Sequence, residues 1–391
     1  MNIKSKLPKI GTTIFSEMSF LANKHNALNL SQGFPDFKIS DELPKLVEKH
    51  MRQNKNQYAP MPGVIDLRET LVDILNNNHQ VKFDVNSEIT ITAGATQAIY
   101  TTISALISSG DEVIMFAPAY DCYAPAIEVN GGVCKFVNLN YPSYSIDWEF
   151  VNSIITDKTK MIIVNTPHNP TGAVFSENDI LELENIVEKF GVIVLSDEVY
   201  EQIVFDDKKH LSVLKSDILV RNSVVVYSFG KSLHVTGWKL GFCVAPQNIM
   251  REIRKIHQFN VFSCNTPMQY AINDYLKNKN PYKNVSVFFQ KKRDLFLKSI
   301  QGSRFKIVPT SGTYFQLLDY SNITNISDVE FAKELTIKNK IASIPVSVFY
   351  PNNEGDVSNN NLNYLNDKVL RFCFAKKDET LIKAGEILCK I

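Results

Sequence analysis

Between residues 89 and 228 the chain repeats one pattern: a short, apolar, β-branched run, then a stretch able to form a helix. The runs are Ile89–Thr92, Glu112–Phe116, Val133–Val137, Met161–Val164, Val192–Leu195 and Ser223–Tyr227. Strands this apolar are buried on both faces, and alternation with helices predicts an α/β fold with a mostly parallel sheet flanked by helices. Ligands then bind at the carboxyl ends of the strands. A further apolar run, Leu240 to Val244, follows Val224–Val226 after only eleven residues, Phe229 to Lys239. A parallel crossover needs about a dozen residues or more, so this pair is expected to run antiparallel, with Gly230 and Gly237 interrupting any helix between them.

The unusual residues cluster at those carboxyl ends. Ala93-Gly94-Ala95-Thr96-Gln97 joins a strand to the helix expected from Ala98 to Ile107. Small residues there leave backbone N–H groups free to face an anion, or Thr96 acts as a helix cap. Tyr120 follows the next strand in Ala117-Pro118-Ala119-Tyr120. Asn169 sits in Asn165-Thr166-Pro167-His168-Asn169-Pro170-Thr171-Gly172, where two prolines and a glycine fix a turn that can aim an amide. Asp197 ends the run Val192–Leu195, where a carboxylate is costly unless a cation, or a helix it caps, partners it. Lys231 lies in the glycine-punctuated connection after Ser228, where loss of water lowers an amine's pKa and suits it to Schiff-base chemistry.

Outside this region, Gly33 and Phe34 belong to an aromatic loop, Leu30 to Phe37. Tyr58 lies beside a turn, and Arg371 stands among large apolar residues in Leu370-Arg371-Phe372-Cys373-Phe374. Residues 300 to 391 read as an α+β unit, with Val308 to Leu318 and Val369 to Ala375 as strands. Met250 to Tyr275 reads as helical around a break at Pro267.

Composition narrows the function classes. The 391 residues carry 42 Lys plus Arg against 41 Asp plus Glu, a net charge of +1, which offers no electrostatic case for nucleic acid or an anionic membrane. The six cysteines are scattered without a C-x-x-C pair, which argues against a structural metal or a disulfide scaffold and fits a cytoplasmic location. No signal-peptide or membrane-spanning stretch is expected.

Ser228-Phe229-Gly230-Lys231 with Thr236-Gly237-Trp238-Lys239-Leu240-Gly241 resembles the lysine loop of class I pyridoxal-phosphate (PLP) aminotransferases, and within them the methionine and kynurenine aminotransferase branch. The other segments match in the same chain order, so the resemblance spans essentially the whole chain. It implies fold type I, with a large PLP-binding domain over residues 45–283 and a small domain built from 1–44 and 284–391. It also implies a homodimer with shared active sites, in which Tyr58 reaches the partner's phosphate group. Gly94, Ala95, Thr96, Ser228 and Lys239 would hold the phosphate, with Lys239 standing where many relatives place arginine. Tyr120 would stack on the pyridine ring, Asp197 would pair with its nitrogen, and Asn169 and Tyr200 would bond its phenolic oxygen. Lys231 would carry PLP, while Gly33, Phe34, Asn169 and Arg371 would receive the substrate.

The expected activity is transfer of an amino group from an L-amino acid to a 2-oxo acid. Apart from Arg371 no arginine falls in the segments read as pocket-forming, which instead hold Phe15, Phe34, Tyr58, Tyr120, Tyr123 and Phe349. Neutral, aromatic or sulfur-containing donors (methionine, phenylalanine, tyrosine, kynurenine, glutamine) are therefore expected over aspartate. A C–S β-lyase using the same residues and a non-enzymatic PLP-binding regulator are the alternatives.

Overall fold

The computed structural model describes residues 3–8, 10–278, 281–351 and 368–391. Among them are thirteen strands: β1 (Leu28–Asn29), β2 (Ile89–Thr92), β3 (Glu112–Ala117), β4 (Val133–Asn138), β5 (Thr159–Asn165), β6 (Ile193–Asp197), β7 (Ser223–Ser228), β8 (Gly241–Val244), β9 (Lys306–Ile307), β10 (Phe315–Asp319), β11 (Ile341–Ala342), β12 (Ile344–Pro345) and β13 (Val369–Cys373).

Seven of them form one sheet in the order β2-β8-β7-β6-β5-β3-β4. The pairs from β4 through β7 are parallel, and β8 runs antiparallel to both β7 and β2. The short β7–β8 connection therefore does what its length requires. It is more ordered than its glycines suggest: Phe229–Ser232 makes one helical turn and Thr236–Trp238 a 3-10 turn. Gly230 sits within the first turn because a Cβ there would stand 3.0 Å from the Thr236 Cα, so the glycine serves close approach and not helix breaking.

The helix after β2 spans Ala95–Leu106, three residues earlier than expected. Its cap is Gly94, at φ +77°, and not Thr96, whose side chain in the first turn instead hydrogen-bonds Tyr120. The helices Gln247–Asn260 and Thr266–Asn278 part at residues 261–265, and Pro267 lies in the first turn of the second, where a missing N–H costs nothing.

A second, antiparallel sheet has the order β12-β13-β10-β9, and β1 pairs with β11 in parallel. Through β1 the N-terminal segment joins the C-terminal core, where Met18 and Leu30 pack with Phe331, Leu370 and Leu381. The strand expected over Val308–Leu318 is instead split into β9 and β10. Pro309 offers no N–H to a ladder, and Thr313 adopts φ +65°. The intervening loop bonds across to the turn after β5 and to the segment after β6: Ser311 N donates to Gly172 O (2.9 Å), Phe205 N to Ser311 O (2.9 Å) and Thr313 N to Ile203 O (3.0 Å).

That crossing needs a glycine at 172. Its φ is +74°, and a Cβ would fall 1.8 Å from Thr310 Oγ1. Gly172→Ala is expected to lose roughly 2–4 kcal/mol, from left-handed backbone strain and overpacking together. Urea unfolding checks it, and a loss below about 1 kcal/mol contradicts it.

Candidate active site

At the carboxyl ends of β5, β6 and β7 lies a cavity of about 290 Å³. Of the residues singled out from sequence, Gly33, Phe34, Gly94, Ala95, Thr96, Tyr120, Asn169, Asp197, Tyr200, Ser228, Lys231, Lys239 and Arg371 all line it. Tyr58 does not. It is 82% exposed on its own chain, edge-on to Phe262 at 5.4 Å.

One wall suits an anion. The first N–H groups of the helix from Ala95 have no intrahelical acceptor and add the positive end of its dipole. The Lys239 side chain bends over the same point, with Cε and Nζ both 3.6 Å from where a Gly94 Cβ would stand. Gly241 closes β8 onto this corner, since a Cβ there would meet Tyr227 O at 2.4 Å and Ala95 N at 3.2 Å. Ser228, at the end of β7, faces the same space.

The floor holds Asp197, which is 4% exposed. Tyr123 Oη donates to its Oδ2 (2.7 Å) and Val199 N to its Oδ1 (3.3 Å). Burial outweighs both bonds and pushes its pKa up to about 6, so a cation arriving here is stabilised by a carboxylate that lacks one. Lys231, half-buried on its helical turn, shows the opposite effect: burial lowers its pKa to about 8. Its Nζ lies 5.5 Å from the Tyr200 ring centre and 5.6 Å from that of Tyr314.

Arg371 enters from β13 and is 1% exposed. Its Nη1 donates to Asn169 Oδ1 (2.9 Å) and its Nη2 to Ser31 O (3.0 Å), while Nε has no hydrogen-bond partner. No carboxylate among the described residues forms an ion pair with it. In place of one, the guanidinium lies 4.0 Å from the Phe315 ring centre, with Phe349 at 5.2 Å and Phe15 at 5.3 Å. Aromatic faces soften the cost of burial without neutralising the charge, so the site favours an incoming carboxylate. The bond to Asn169 Oδ1 also settles the orientation of that amide, leaving its Nδ2 as the free donor.

Two residues that the sequence reading did not assign complete the arrangement. Asn165 Nδ2 donates to Asp197 O (2.8 Å) and its Oδ1 accepts from Asn169 N (2.7 Å), tying the end of β6 to the Asn169 turn. An amide ending a buried apolar strand carried the same signal as Asp197. Tyr123 was noted only as an aromatic wall, and its bond to Asp197 depends on the fold. Asp121 also lines the cavity, its pKa raised by burial.

The charge arrangement fits PLP: an anion cradle, a carboxylate without a cation, an amine of lowered pKa and an arginine without an anion. Comparison with known proteins agrees on the family. The model for aminotransferase class I and II matches residues 25–385. Methionine aminotransferase of Escherichia coli (strain K12) is 44% identical over 98% of this chain and 97% of its own length. Kynurenine–oxoglutarate transaminase of Dictyostelium discoideum is 33% identical over 97% of the chain and 94% of its own. Among solved structures, an Escherichia coli protein described as having a methionine aminotransferase function superposes with a TM-score of 0.95 over 100% of both chains at 44% identity. N-succinyldiaminopimelate aminotransferase from Mycobacterium tuberculosis reaches 0.93 at 29%, again over 100% of both. The chain belongs to the class I and II aminotransferases. The sheet of fold type I and the expected enzyme class are both borne out.

The buried amine makes a testable contribution to stability. Its folded pKa of about 8 lies below the ordinary 10.5, so between these values the unfolded chain binds more protons and stability rises with pH. Below pH 8 the cost is fully present. Lys231→Met without cofactor is therefore expected to be more stable than wild type at pH 7, by at most about 2–3 kcal/mol, with the gain fading towards pH 10.5. Urea unfolding at both pH values checks this, and an equal difference at both contradicts it.

Proposed function

We propose that this aminotransferase uses PLP and moves the amino group of a neutral, aromatic or sulfur-containing L-amino acid to a 2-oxo acid. Methionine, phenylalanine, tyrosine, kynurenine and glutamine are the donors in view. The observation that carries the reading is the buried Arg371 without an anion, facing a cavity that also holds Lys231 and Asp197. Bound PLP supplies the electron sink for charge developing at the substrate Cα.

The chain's own residues do the rest. The helix from Ala95, with Thr96, Ser228 and Lys239, binds the phosphate, Lys239 acting as a point charge and not as a fork. Tyr120 offers its ring as a stacking face, and the Asp197 carboxylate keeps the pyridine nitrogen protonated. Asn169 Nδ2 and the Tyr200 hydroxyl bond the phenolic oxygen. Lys231 Nζ would hold the cofactor, and as an amine facing the cavity it would act as the acid and base for the substrate Cα proton. Its lowered pKa makes a neutral amine available near neutral pH. Arg371 and the backbone of Gly33 grip the α-carboxylate.

Side-chain preference follows from the remaining walls. Phe15, Phe34 and Phe315 line the cavity, and Arg371 is the only arginine among its lining residues. Asp121 adds an acid, which disfavours a distal carboxylate. The matched relatives are named as transaminases, so neither the C–S β-lyase nor the regulator reading gains support.

The reading extends to the whole molecule. The separate seven-stranded and four-stranded sheets support a large domain over 45–283 and a small one from 1–44 and 284–391, with residues 1, 2, 9, 279, 280 and 352–367 outside the described residues. The exposure of Tyr58 supports a homodimer in which it completes the partner's phosphate site. No helix among the described residues is long and apolar enough to cross a membrane, and with the scattered free cysteines this supports a cytoplasmic location.

Two measurements test the proposal. Borohydride reduction is expected to fix PLP on the wild type and not on Lys231→Ala, which should lose turnover. A reducible adduct on the variant contradicts the assignment of Lys231. The kcat/KM for methionine or phenylalanine is expected to exceed that for aspartate, and a ratio below one overturns the substrate class.

A further inference from the structure

The segment carrying Gly33 is held almost residue by residue. Arg371 takes Ser31 O, and Gln32 Nε2 donates to Phe15 O (2.8 Å) and Ser19 Oγ (2.6 Å). Tyr314 Oη donates to Gly33 O (2.6 Å). Asp36 accepts from Lys377 N (2.6 Å) and Thr380 Oγ1 (3.1 Å). Gly33 must be glycine, because a Cβ would fall 2.8 Å from Cζ of Phe315, the ring beneath the Arg371 guanidinium.

The remaining carbonyls go to a buried ammonium. Lys376 is 2% exposed, and its Nζ donates to Phe34 O at 2.9 Å and, over a longer 3.5 Å, to Gln32 O. It lies 4.9 Å from the Phe34 ring centre and forms no ion pair with a carboxylate among the described residues. A buried charge with only carbonyls for partners is costly, and it is retained here at the one loop that enters the cavity from this side. Lys376 itself does not line the cavity, whereas Gln32, Gly33 and Phe34 do. With the carbonyl oxygens of all three residues engaged by Lys376 and Tyr314, the loop's acceptors are turned to protein donors. The Gly33 and Phe34 N–H groups donate to no acceptor among the described residues.

We propose that Lys376 is a positioning residue for the substrate α-carboxylate. It draws the Gln32 and Phe34 carbonyls to itself, so that the loop presents N–H groups, and not oxygens, to the anion gripped by Arg371. The inference rests on the aminotransferase reading above. Two effects combine: the loop stays in its receiving conformation, and two carbonyl dipoles that would repel a carboxylate are neutralised.

The test compares PLP-loaded wild type, Lys376→Met and Lys376→Arg. The probes are 3-phenylpropionate, which has the carboxylate, and 3-phenylpropanol, which lacks it, followed by calorimetry. Lys376→Met is expected to weaken 3-phenylpropionate about tenfold, the scale of one charge-assisted hydrogen bond, and to leave 3-phenylpropanol within twofold. KM for methionine should rise in proportion, with kcat within about threefold. Lys376→Arg should restore 3-phenylpropionate binding to within about threefold, because it keeps the charge and the donors. Equal weakening of both probes, or 3-phenylpropionate binding within twofold of wild type, overturns the proposal. If Lys376→Met does not fold, Lys376→Gln replaces it with the same criteria. A wild-type enzyme that transaminates no amino acid refutes the reading of the site, which is a separate result from a null effect at Lys376.

Discussion

A guanidinium without an anion governs this structure. Arg371 is fully buried, and its bonds go to an amide oxygen and a backbone carbonyl, neither of which cancels its charge. Three phenylalanine rings surround it, and the strands, loops and glycines around the cavity are arranged so that those rings and carbonyls can approach. Asp197 stands in the mirror-image position as a buried carboxylate that makes no salt bridge among the described residues and feels Lys231 only at a distance. The folded chain therefore holds opposite charges apart in one cavity and lets neither satisfy the other. Such separation lowers the stability of the empty protein and raises its affinity for a ligand of complementary charge.

Much of this was legible in the sequence because the informative residues are exceptions to their surroundings. Asp197 and Asn169 follow apolar strands, Lys231 follows another, and Arg371 interrupts a run of large hydrophobics. Alternation of strand and helix placed Asp197, Asn169 and Lys231 at one edge of the large sheet, whereas Arg371 lies on β13 of the small one and was tied to the pocket only by the family resemblance. What escaped depended on three-dimensional contact. The Tyr123 bond to Asp197 links residues far apart in the chain. The loop at 308–314 read as strand because Val308, Tyr314 and Phe315 are apolar, although Pro309 and Gly312 mark it as a crossing. Lys376 stands in a Lys-Lys-Asp-Glu run that reads as solvated surface, and only its burial shows otherwise.

The site also joins the two sheets. Arg371 comes from the small antiparallel sheet, Asn169 from the turn after β5, and Ser31 from the segment next to β1. The Gly172–Ser311 contact stitches the same regions together a short distance away. A carboxylate reaching Arg371 thus meets parts of the chain whose relative placement depends on these few bonds.

The β7–β8 hairpin has one more property. Ser228 and Lys231 lie at its outgoing end, Lys239 and Gly241 at its return, and β8 is clamped between β7 and β2. The distance from the reactive amine to the anion cradle is consequently a fixed length, measured by a short connection whose two ends are locked in register. The hairpin works as a caliper. On the proposed function, a ligand with an aldehyde at one end and an anion at the other would have to match that one span, and a single residue inserted between Phe229 and Leu240 would change the gauge, although the segment lies outside the sheet and would look permissive to insertion.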